Sequence, residues 1–384
     1  MEVTLALNKH DVSSPYDRSL SQAYMPLHPR AFGPAQYLLT IIILLAFLAS
    51  ALGCSGKKPN AQRKLRIGFS LESLRLERWH RDLDVFTRHA QELGAEVLVQ
   101  SADGNDALQV RQAENLLTQG VDVLVVVPHN GQIASSIVDN AKRQNIPVLA
   151  YDRIIRNSDV DFYVSFDNVK VGEQQAEYLV DRAPRGNYVL IGGASTDENA
   201  RLLREGQMKV LKPAVDRGDI KIVADQWAKD WLPSEALRHT ENALTQVRNK
   251  VVAVVASNDS TAGGVVQALE EQKLAGKVLV SGQDAELPAC QRIVAGTQSM
   301  TVYKPSVALA ARAVEIAVAL AKHEPVQPNA KVNNGSKDVP SLLLDSIVID
   351  KSNIAEIVAK DQFVSLKDVY RNVPRDQWPM IESK

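Results

Sequence analysis

A regular alternation of short β-branched runs with longer amphipathic stretches constrains the fold most. Runs at 65–69, 96–100, 121–127 and 147–150 are separated by helical patterns that end near Gly. That rhythm belongs to a parallel sheet covered by helices. In the first helix Leu83, Phe86, Ala90 and Leu93 predict one apolar stripe against the sheet, and Gly94 suits a left-handed cap. A second set of runs, at 188–191, 220–224, 251–256 and 277–280, alternates with helices at 234–246 and 260–272. In a chain of 384 residues, two such sets predict an α/β fold of two doubly wound parallel-sheet lobes. The segment 162–168 and the extended piece 300–303 predict a multi-strand hinge. The N-terminal lobe is expected at 64–168 with 305–345, the C-terminal lobe at 169–304 with 346–370, and a tail at 371–384.

Charge and cysteine content narrow the class. Lys plus Arg number 44 and Asp plus Glu 45, without a long run of one sign, so no nucleic-acid partner is expected. The two cysteines, Cys54 and Cys290, lie in different settings and predict no disulfide framework. Cys290 reads as a small buried helix residue. The seven His show no paired-ligand spacing, and neither a metal site nor a cofactor is expected.

Residues 38–52, LLTIIILLAFLASAL, are uncharged. This run is shorter than the roughly 18 residues of a membrane-spanning helix and suits the apolar part of a signal peptide. It ends in Ala51-Leu52-Gly53-Cys54, which resembles a lipobox, where a signal peptidase cuts before an acylated cysteine. Residues 1–54 are therefore expected to be leader and lipoprotein signal, with lipidation at Cys54, and 55–63 a polar tether. An uncleaved anchor is the alternative. The expected location is the periplasm or cell surface, with membrane attachment through Cys54. A start at Met25 gives a shorter leader carrying Arg30, so Met1 and Met25 both stand as starts.

Ligands of open α/β sheets bind beyond the carboxyl ends of the strands. Polar residues collect there. Asp152 and Arg153 follow the fourth run, Asp197 and Asn199 follow VLIGG, and Trp231 comes shortly after IKIVADQW. Asn258 follows VVAVVAS, Asp284 follows VLVSGQ, Lys304 follows MTVY, and Arg78 with Trp79 opens the first helix. Planar donors, carboxylate acceptors, amides and flat aromatic faces together match a sugar's hydroxyls and C–H faces. Plainer readings stand beside these. Asp152 and Asp284 suit helix caps, Arg78 a solvated charge, Trp79 a core aromatic, and Lys304 before Pro305 a helix leader. At 258–260, Asn258 is read as the ligand residue and Asp259 as the cap. Of Trp227 and Trp231, the second is expected to face the cleft.

Nine longer runs sharpen the reading: LRLERW (74–79), QSADGN (100–105), LAYDR (149–153), SFDN (165–168), GQMKVLKP (206–213), ASNDSTAGG (256–264), SGQDAEL (281–287), TVYKP (301–305) and NNGSKDVPS (333–341). They resemble those of bacterial D-xylose-binding proteins, periplasmic sugar-binding components of ABC transporters, from Lys64 to about Asp361. The resemblance implies a type I periplasmic binding protein fold. It also implies sugar contact by Arg78, Asp152, Arg153, Asp197, Asn199, Trp231, Asn258, Asp284 and Lys304, with Trp79 packing on the sugar ring. A non-enzymatic monomer is expected to capture D-xylose or a related monosaccharide by lobe closure and deliver it to an ABC permease. Presentation of the sugar to a chemoreceptor or sensor kinase is the alternative. The run GGASTDENAR (192–201) departs from the pattern at Ser195, Thr196 and Glu198, which bears on selectivity.

Two other classes fit poorly. A dinucleotide-binding enzyme needs glycines between its first strand and helix, where this chain has SLESLRLER (70–78). A sugar-responsive repressor would carry a helix-turn-helix where this chain has its signal segment.

Overall fold

The computed structural model describes residues 63–379, together with Gly33 and Pro34. The signal segment, Met25, Cys54, the tether at 55–62 and the last five residues of the tail lie outside the described residues. Among the described residues, no helix is long and apolar enough to cross a membrane.

The first lobe opens with β1 (Leu65–Leu71), α1 (Glu77–Glu92), β2 (Ala95–Ser101), α2 (Asp106–Thr118), β3 (Val123–Val126), α3 (Ser135–Arg143), β4 (Val148–Tyr151) and β5 (Phe162–Phe166). The strands β3, β4 and β5 are buried throughout, as continuous apolar runs must be when helices cover both faces of a sheet. Val123 and Val125 pack on one face with Phe69, Phe86 and Tyr151, while Leu124 and Val126 pack on the other with Leu116 and Ile137. This is the period of two that a strand dictates.

The second lobe follows with α4 (Asn168–Arg182), β6 (Gly186–Gly192), α5 (Glu198–Asp216), β7 (Ile220–Trp227), α6 (Pro233–Gln246), β8 (Ala253–Ala256), α7 (Asp259–Glu271), β9 (Leu279–Val280), α8 (Leu287–Ala295) and β10 (Met300–Tyr303). Its four-stranded sheet has the order β7-β6-β8-β9, and all pairs are parallel. Helices α4 and α5 meet backbone to backbone at Gly172 and Gly206, where a β-carbon would overlap a carbonyl of the other helix.

The remainder returns to both lobes: α9 (Ser306–Ala321), β11 (Ala330–Asn333), β12 (Asp338–Leu344), β13 (Ile347–Asp350), α10 (Ile354–Asp361) and α11 (Leu366–Val369). The first sheet is thereby completed in the order β11-β12-β5-β4-β3-β1-β2, parallel except for the β11–β12 pair. Helix α9 packs on α1 and on β1, β3, β4 and β5. The chain crosses between lobes after β5, β10 and β12, and β10 pairs antiparallel with β13.

One local expectation is corrected. In α1 the buried apolar face runs through Trp79, Phe86 and Ala90, with Leu83 partly buried, but Leu93 is 46% exposed. Leu93 is the C-cap residue, beyond the last turn that touches the sheet; Gly94 follows it with φ of 77°.

Candidate ligand-binding cleft

All ten residues singled out in the sequence line one cavity between the lobes, joined by Leu76 and Gln283. Arg78 and Trp79 come from the first turn of α1, and Asp152 and Arg153 from the end of β4. Asp197, Asn199, Trp231, Asn258 and Asp284 stand beyond the strands of the second sheet, and Lys304 directly follows β10 in the hinge. All ten are buried.

Charge pairs join the lobes directly. The Arg78 guanidinium donates to Asp82 (3.1 Å) and Asp152 (2.9 Å) on its own lobe, and to Asp284 (3.3 Å) across the cleft. The Arg153 Nε lies 2.8 Å from Asp197 Oδ2 of the other lobe, and Asn199 Nδ2 donates to Asp152 Oδ1 at 3.0 Å. Lys304 Nζ is 3.5 Å from Asp152 Oδ2. Burial alone would push the Asp152 carboxyl up, but Arg78, Lys304 and Arg153 outweigh it and hold the group down at about 2. Asp82 and Asp197 have fewer cations at hand, so burial wins and raises both. Burial also opposes the Arg78 charge, yet Asp152, Asp82 and Asp284 together keep it well above its ordinary value.

The backbone is bent to aim these groups. Asp152 has φ of 61°, and the Arg153 N–H folds back onto the Tyr151 carbonyl at 2.7 Å, turning two consecutive side chains into the cleft. Asp284 has φ of 95° and Trp231 of 59°. Left-handed backbone at non-glycine residues costs on the order of 1–3 kcal/mol each and clusters at functional sites. The last residue of β6, Gly192, and Gly193 after it make room for two indoles: a β-carbon on Gly192 would strike Trp227, and one on Gly193 would overlap the Trp231 ring. Trp231 lines the cavity and donates to Asp197 Oδ2 (3.1 Å), while Trp227 lies partly buried under the Arg204 guanidinium.

The structure reverses the cap assigned at 258–260. Asn258 is the N-cap of α7: its Oδ1 accepts from the Thr261 N–H at 2.9 Å, in a reciprocal capping box. Asp259 is the first helical residue, and its carboxylate accepts from Gln298, Thr301 and the Glu286 N–H, bracing the loop that carries Asp284. Asn258 keeps its Nδ2 buried and without a partner at the cavity, as Gln283 keeps its Oε1. Capping uses only one end of the amide, so both readings of Asn258 are compatible.

Gln283 was not singled out in the sequence, nor was Glu72. The Glu72 Oε1 accepts from Trp79 Nε1 (3.1 Å) and Arg153 Nη2 (3.4 Å), fixing both side chains from behind. Trp79 itself lies against the Arg78 and Arg153 guanidinium groups, 4.4 and 5.6 Å from its ring centre.

The acidic groups behind Asp284 carry a pH prediction. Burial, then Asp259 and Asp284, push the Glu286 carboxyl up to about 8, and burial pushes Asp259 up to about 7. Both are raised above the unfolded carboxylate range, so stability present below about pH 4 is lost as pH rises through 7 and 8. Glu286→Gln is expected to recover on the order of 1–3 kcal/mol at pH 9 relative to pH 5 in urea titrations. An unchanged difference between the two pH values would refute the assignment.

Residues 67–325 match a family described as periplasmic binding protein domain. The D-xylose-binding periplasmic protein of Haemophilus influenzae is 55% identical over 308 residues, covering 80% of this chain and 93% of its own length. Its Escherichia coli K12 counterpart is 56% identical over 301 residues, covering 78% and 91%. A carbohydrate transporter solute binding protein from Chloroflexus aurantiacus, solved in complex with D-glucose, matches with a TM-score of 0.76 at 32% identity. That match spans 79% of this chain and 98% of the other. The fold is thus the type I periplasmic binding protein fold expected from the sequence. On the family match and the identity to these relatives, the chain belongs to the periplasmic binding protein family and is a solute-binding protein, not an enzyme.

Proposed function

We propose that the chain captures D-xylose, or a closely related monosaccharide, in the periplasm by closing its two lobes, and delivers it to an ABC permease. One observation carries this reading: a small polar cavity between the lobes that retains an unpaired buried amide donor and an unpaired amide acceptor, at Asn258 and Gln283. The cavity is lined mostly by polar side chains, which suits one compact hydroxylated ligand. The names of the relatives support xylose. Contacts divided between lobes make the sugar a bridge, so its binding energy shifts the population from open to closed. The signal-like run and Cys54 support a lipid anchor that keeps the protein at the membrane.

Calorimetry tests the site. Asp284→Ala and Arg153→Ala are each expected to cost about 1.5–3 kcal/mol of D-xylose affinity, the range for hydrogen bonds to charged groups. Unchanged binding in both variants would sink the assignment. We expect xylose to bind more tightly than glucose; equal affinity for the two would leave a broader monosaccharide specificity.

A further inference from the structure

Beside the ligand cavity, a second set of contacts joins the lobes without lining it. Arg156, in the loop after β4, pairs with Glu198 at the start of α5, with Nη1 and Oε1 2.5 Å apart. The Arg156 N–H donates to the Gly131 carbonyl (2.8 Å), and the Gly131 N–H reaches across to the Thr196 carbonyl (3.3 Å). The two crossings are therefore braced together. Arg201 donates to the Ser195 carbonyl at 3.1 Å, holding the other side of the joint. Arg156, Ser195, Thr196, Glu198 and Arg201 line an open chamber, and the Arg156 and Glu198 side chains are 31% and 18% exposed. Nearby, His129 Nε2 of the first lobe lies 3.3 Å from Asp230 Oδ1 of the second.

We propose that the Arg156–Glu198 pair sets the affinity for the sugar without touching it, by stabilising the closed arrangement. The inference rests on capture by lobe closure. Contacts made only in the closed form lower the free energy of that form alone, and the ligand's apparent affinity rises by the same factor. Charge matters here because the pair is partly buried yet open to salt. Neither residue lines the ligand cavity, so no loss on substitution comes from a lost sugar contact.

The experiment is a charge-swap cycle. D-xylose dissociation constants are measured for the wild-type chain, Glu198→Gln, Arg156→Gln, both together, and the reversed pair Arg156→Glu with Glu198→Arg. Each single change is expected to weaken binding about two- to fivefold, the double no more than either single, and the reversed pair to return to within about twofold of wild type. The wild-type affinity should fall more steeply with salt than that of the double variant. In parallel, dyes on Arg111→Cys and Glu241→Cys, exposed on α2 and α6, with Cys54→Ser, count the closed fraction by single-molecule energy transfer without sugar. Glu198→Gln should lower that fraction by the same factor. Equal closed fractions, or additive losses in the cycle, would overturn the proposal. If the wild-type chain binds no monosaccharide, the proposed function falls, while the closed fractions still decide the role of the pair.

Discussion

Arg78→Met is expected to cost about 3–5 kcal/mol of folding stability at pH 7 and to abolish detectable D-xylose binding. The side chain is 5% exposed and serves three buried carboxylates, Asp82, Asp152 and Asp284, two from its own lobe and one from the other. Methionine fills most of the volume but leaves those acids without their shared cation. Asp82, already raised by burial, loses the cation that opposes that rise, and Asp152 loses the strongest of those that hold it down, so the variant regains stability as the pH falls and these two take up protons. Urea unfolding at pH 7 and pH 5 separates this from lost packing. The gap to the wild type must narrow on acidification. A gap under about 1 kcal/mol at pH 7, or one that stays constant, would remove Arg78 from the centre of the site.

The second large effect falls on a residue with no side chain. Gly193→Ala is expected to weaken sugar binding roughly ten- to a hundredfold, because the added methyl overlaps the Trp231 ring and overpacking of this kind costs about 1–3 kcal/mol. Gly193 lies outside the left-handed region, so its backbone accepts a β-carbon and the cost arises at the indole. Trp231→Ala supplies the control. In that background Gly193→Ala should add little, since the atoms it strikes are gone. Full additivity of the two changes in calorimetry would show that the glycine acts elsewhere.

The alternating lobes were legible because parallel strands buried on both faces appear as unbroken apolar runs, of which 123–126 and 253–256 are clear cases. The strand-end positions were legible for the same reason: once the strands are placed, the residues after them must face the cleft. What escaped notice were groups whose roles depend on partners far away in the chain. Glu72 meets Arg153 across 81 positions, and Gln283 is polar in a segment where its neighbour Asp284 drew the attention. No local spacing encodes such a pair. The placing of the cap at Asn258 and not Asp259 is a one-residue matter, since either suits a cap and only the position of the first helical turn decides between them. Leu93 misled for a similar reason: an apolar residue at the right spacing still points away once the helix has ended.

The three crossings between lobes have a consequence for synthesis. Helix α9 and strands β11 and β12 belong to the first sheet, yet they follow the whole second sheet in the chain. A chain threaded across a membrane N-terminus first therefore emerges with β1 to β5 already present but one apolar face covered only in part, by α1, awaiting residues 306–344. The first lobe cannot close as an early, independent folding unit. Such late completion keeps the polypeptide pliable until nearly all of it has passed, and it leaves the part of that face beyond α1 as the surface a holding chaperone would meet.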